Sequence, residues 1–78
     1  MNTFNIKLTT IEDIRKFVEI VTRLDYDVDL SSGRYVVDAK SIMGIFSLDL
    51  SKSIDLCIHA DEASISPILE ALKPYVCE

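Results

Sequence analysis

Seventy-eight residues, 49% hydrophobic and 27% charged with only two Gly and two Pro, have the composition of a single domain spanning residues 1–78; they exclude a disordered chain and leave no room for a deep enzymatic cleft. A formal charge of -5, from 8 Lys and Arg against 13 Asp and Glu, excludes a surface built to neutralise phosphates, so neither nucleic acid nor an anionic membrane is an expected partner. No apolar run nears the roughly 20 residues that cross a bilayer, and Cys57 and Cys77 follow no secretory signal and no metal-like spacing, so reduced thiols in a cytoplasm are expected.

From Thr3 to Leu8 the residues alternate, with Phe4, Ile6 and Leu8 on one side and Thr3, Asn5 and Lys7 on the other, which predicts a half-buried strand. Thr10 and Asp13 then stand at capping-box spacing, and Glu12 and Asp13 suit the positive end of a helix dipole. The helix that starts there carries Ile14, Phe17, Val18, Val21 and Leu24 at helical spacing, with Glu12–Lys16 and Glu19–Arg23 as i,i+4 pairs. From Tyr26 the period changes to two: Tyr26, Val28 and Leu30 face one way and Asp25, Asp27 and Asp29 the other. Ser31-Ser32-Gly33-Arg34 supplies a turn, and Tyr35, Val37 and Ala39 return as the second strand of a hairpin.

The segment from Lys40 to Leu48 predicts one helical turn followed by another, opened by Ser41 as cap. Six of the eleven residues from Lys40 to Leu50 are Ile, Met, Phe or Leu, more than one face of so short a helix buries. Ile42, Met43 and Phe46, at i, i+1 and i+4, are therefore expected to form a contiguous exposed patch, the mark of a docking surface. The plainer alternative is a loop that covers them. Ser53 to Ala60 alternates again and predicts the fourth strand, and the last helix carries Ile65, Ile68, Leu69, Leu72 and Val76. Asp61 and Ser64 are both possible caps; Pro67, which fits a first turn without losing a hydrogen bond, favours Ser64, and Pro74 weakens or ends the helix.

The predicted order is βαββαβα, an α+β fold. Each element has one apolar face, so the economical arrangement is a two-layer open-faced sandwich, a four-stranded antiparallel sheet with three helices on one face. The other face is expected to be wet and to carry Lys7, Asp27, Asp29, Asp55, Cys57 and His59.

Lys40-Ser41-Ile42-Met43-Gly44 with Ser47-Leu48, and then Ile58-His59-Ala60-Asp61-Glu62, resembles the histidine-containing phosphocarrier protein (HPr) of the bacterial sugar phosphotransferase system. The similarity runs from about Phe17 to Leu72, with no gap in the 24-residue step from Phe17 to Ser41. The family carries a histidine just before the first helix, then an arginine and a proline two and three residues on. The matching positions here are Thr10, Glu12 and Asp13, so the reactive centre is expected to be absent. At about 4 Å and a surface-like dielectric a carboxylate opposes a phosphoryl charge by roughly 4 kcal/mol before screening.

The resemblance implies that Ser41 stands where a regulatory serine kinase acts in HPr of many Gram-positive bacteria. It also implies that Ile42, Met43 and Phe46 lie on the surface that docks phosphotransferase-system enzymes and a transcriptional regulator. A helix cap is the simpler role for Ser41. The expected function is thus a non-catalytic, cytoplasmic HPr-like interaction or regulatory module, without cofactor or metal, in the regulation of sugar transport. The alternatives are a phosphoryl carrier using a non-standard residue and an ACT-like small-ligand sensor. His59, the sole histidine, falls on the wet face and is expected to be an ordinary surface residue; Cys57-x-His59 is too sparse for a metal site. Asp25-x-Asp27-x-Asp29 lacks the glycine and the terminal glutamate of a calcium loop, and no phosphate loop or serine nucleophile is visible.

Overall fold

The elements of the computed structural model, which describes residues 2–77, follow the order β1 (Asn2–Ile6), α1 (Ile11–Thr22), β2 (Asp27–Ser32), β3 (Tyr35–Asp38), α2 (Ile42–Phe46), β4 (Ile54–His59) and α3 (Glu62–Leu72), with a 3-10 turn over Lys73–Tyr75. The strands form one antiparallel sheet in the order β1-β4-β2-β3. Alternation then sorts the side chains. Ile54, Leu56 and Ile58 of β4, with Val28 and Leu30 of β2, are buried under the helices, whereas Asp55, His59, Asp27 and Asp29 face the open side. From above, α1 contributes Ile14, Phe17 and Val21, α2 Ile45, and α3 Ile65, Ile68 and Leu72. Tyr75 closes one end of this core with its ring edge on Phe17, centroids 6.1 Å apart at 89°. This is the expected two-layer sandwich.

α1 begins as its sequence demands. The Thr10 hydroxyl accepts from the Asp13 N–H at 3.0 Å, and the Asp13 carboxylate accepts from the Thr10 and Thr9 N–H groups at 3.3 Å, closing the capping box. Of the two i,i+4 pairs, Glu19–Arg23 forms at 3.0 Å; Glu12–Lys16 does not close among the described residues. The β2–β3 hairpin turns through Gly33 and Arg34 alone, with Gly33 at φ 60 in the first central position, the place a type II′ turn reserves for glycine.

Several expectations need correction. The cap of α3 is Asp61, whose carboxylate accepts from the Ser64 N–H at 3.0 Å, and Pro67 lies inside the helix. Starting the helix at Glu62 gains three residues of backbone hydrogen bonding and sets a carboxylate at its positive end, while Ser64 is used elsewhere, its hydroxyl 2.7 Å from that of Tyr26. The proline leaves the Ala63 carbonyl without its i+4 donor, and Ala63 is exposed, so water serves it. α2 is a single turn of five residues rather than two turns. β1 ends at Ile6, and Lys7 belongs to the junction beyond it: its N–H donates to the Tyr75 carbonyl at 2.8 Å and its ammonium to the Ser51 carbonyl. Val76 has left α3 and forms a bridge with Ile6, reinforced by the Cys77 N–H on the Asn5 carbonyl at 2.8 Å. The Asn5–Ile6 end of β1's outer edge is thereby covered. β3, at the far end of the sheet, has no such neighbour among the described residues.

Candidate functional site

α2 is held by its neighbours at both ends. Ala39 is fully buried and its N–H donates to the Val28 carbonyl at 2.8 Å; the Lys40 N–H donates to the Asp38 carboxylate at 2.9 Å, and the Ser41 N–H to the Asp38 carbonyl at 3.0 Å. The Lys40 ammonium reaches back to the Leu24 carbonyl, 2.9 Å away, and so places a cation on the C-terminal end of α1. Ser41 caps the turn. Its backbone is extended and its hydroxyl accepts from the Gly44 N–H at 3.2 Å.

Gly44 sets how closely α2 lies on β3. A Cβ there would stand 3.2 Å from Val37 Cβ and 3.3 Å from Ser41 Oγ, tight contacts that a side chain could keep only if its neighbours gave by a few tenths of an ångström. At this short range the buried Ile45 and Leu48 anchor α2 into the core. Ile42 is half-buried against that core. Met43 and Phe46 are left outside, 76% and 45% exposed. Ser41, also exposed, adjoins Met43 with only Ile42 between them in the chain.

The first turn of α1 holds Thr10, Glu12 and Asp13, the positions the sequence resemblance singled out. Thr10 is exposed at the cap, Ile11 is 67% exposed, and Glu12 and Asp13 place two carboxylates in the turn. The Asp13 carboxylate accepts from the N–H groups of Thr9 and Thr10, and with Glu12 it sets negative charge at the end of the helix where an anion would otherwise be favoured. Its charge also reaches Tyr75: burial pushes the phenol hydroxyl above its usual range, with Asp13 and Glu12 adding to the rise. Asp49, in the segment after α2, is lowered by hydrogen bonds from the Ser51 hydroxyl and N–H.

His59 lies elsewhere. It projects from β4 onto the open sheet face, and its Nε2 is 2.7 Å from an Asp29 carboxylate oxygen in a shallow concavity of about 250 Å³ lined by Asp27, Val28, Asp29, Asp38 and His59. Cys57 is half-buried on β4 between Asp29 of β2 and Thr3 of β1, a free thiol like Cys77. Among the described residues no three His, Cys, Asp or Glu side chains converge as a metal ion would require. None of their helices is long and apolar enough to cross a membrane.

Two features escaped the sequence. Val36 was on the outward face of a predicted strand, yet with Tyr35 it leaves two large apolar side chains exposed, 67% and 70%, on β3. The Tyr35-Val36-Val37 run, which breaks alternation, is the signal that could have marked it. The pinning of α2 by Lys40 to the end of α1 has no sequence signature, because it joins residues 16 apart.

The βαββαβα order, the open-faced sheet and a one-turn helix capped by serine define the class: a small open-faced sandwich of the phosphocarrier type. The chain matches the family described as the phosphotransferase-system HPr component phosphorylation site over residues 13–77, and it belongs to that family. That match starts at Asp13 and leaves Thr10 and Glu12 outside it. Among solved structures, the phosphocarrier protein HPr from Bacillus anthracis str. Ames is similar at 28% identity and TM-score 0.69, over 97% of this chain and 94% of that one. The fold is also shared with HPr-C-His from Thermoanaerobacter tengcongensis, at 23% identity and TM-score 0.77, over 95% and 89% of the two chains.

Proposed function

We propose that this chain is an HPr-family protein that carries no phosphohistidine and acts by docking a protein partner on the Ile42, Met43 and Phe46 side of α2. The observation that carries this reading is the exposure of Met43 and Phe46 on a turn whose neighbours Ile45 and Leu48 fix it in the core. With the backbone of the turn anchored by Ile45 and Leu48, docking these two large apolar side chains orders little main chain and buries apolar area at about 25 cal/mol per Å². Family membership supports a partner among phosphotransferase-system proteins; a serine kinase or a transcriptional regulator is what the sequence resemblance adds.

The absence of phosphoryl transfer rests on the first turn of α1. Thr10 stands at the cap with no imidazole, and Glu12 and Asp13 put two carboxylates in the first turn, where they would repel a phosphoryl group. His59 is not at that position: it lies on the open face of the sheet, away from the first turn of α1, with its Nε2 beside Asp29. Ser41 is the proposed modification site. A phosphate there would place nearly two negative charges beside Met43 and change partner affinity through the patch, with α2 still anchored by Ile45 and Leu48.

Incubation with phosphoenolpyruvate and the first enzyme of the phosphotransferase system tests the reading. No acid-labile phosphoprotein is expected. Its appearance would replace this proposal with that of a carrier using a non-standard residue.

A further inference from the structure

We draw no further inference here: the strongest candidate, the acidic concavity on the open sheet face where Asp27, Asp29 and Asp38 surround His59, is a cluster of carboxylates whose imidazole already lies against Asp29, and nothing in the structure points to a ligand that would occupy it.

Discussion

Met43 and Tyr75 show how one residue's surroundings decide what its change does. Met43 is 76% exposed on a turn that Ile45 and Leu48 hold, so Met43→Glu removes apolar docking area and leaves the core intact. Its thermal stability is expected within about 0.5 kcal/mol of the parent, with partner capture from a native extract abolished. A loss of several times that amount in a denaturant titration would make Met43 a core residue and end the docking proposal. Tyr75 is the reverse case, a polar residue only 8% exposed and packed on Phe17. Burial raises its hydroxyl above the ordinary 10.0, and Asp13 and Glu12 reinforce this. A group whose folded value is raised contributes stability that is whole below the unfolded value and is lost as pH rises through the folded one. Urea unfolding should therefore show the parent and Tyr75→Phe running parallel from neutral pH to about 10, with the parent falling away above it. Parallel curves at every pH would mean that the phenol titrates as freely in the folded protein as in the unfolded chain.

α3 is where two local rules compete. Pro67 argues for a start at Ser64, because proline belongs in a first turn; Asp61 argues for an earlier start, because a carboxylate cap meets both unsatisfied N–H groups and the helix dipole. Asp61 wins, the rejected Ser64 bonds to Tyr26, and one carbonyl at Ala63 goes to water. Asp61→Ala should then cost about 1 kcal/mol, and Pro67→Ala should stabilise, by roughly 1–3 kcal/mol after its unfolded-state effect is subtracted. Equal or smaller loss from Asp61→Ala than from Ser64→Ala in chemical denaturation would return the cap to Ser64. α2 and β3 illustrate the same boundary between local and distant causes. The surplus of apolar residues after Lys40 and the Ser41 cap were legible, since both are counted within one segment. That α2 stops after one turn, and that Tyr35 and Val36 stay uncovered, depends on the close approach at Gly44 and on a strand order that no local period encodes.

At the scale of the molecule, periodicity and the need to bury one face per element were enough for the two-layer sandwich. The order β1-β4-β2-β3 was not legible, because any antiparallel arrangement of the same strands buries the same faces. Nor was the C-terminal cover over β1, which places Tyr75 beside the carboxylates of α1. That placement bears on the proposed function as a whole, because the fold is that of the HPr family while the first turn of α1, proposed here as the lost phosphoryl site, is negatively charged. If charge and the missing imidazole together explain the loss of transfer, restoring one is insufficient. Thr10→His alone should remain unlabelled with phosphoenolpyruvate and the first enzyme, since the Glu12 and Asp13 carboxylates still stand in the first turn. Thr10→His with Glu12→Arg and Asp13→Pro removes both carboxylates, reverses a charge and keeps a proline within the first turn, where it is tolerated. Breaking the capping box should cost about 1 kcal/mol, and the triple variant should gain an acid-labile phosphate that the parent lacks. Equal labelling of the single and triple variants would assign the loss to the imidazole alone and remove the carboxylates from the account.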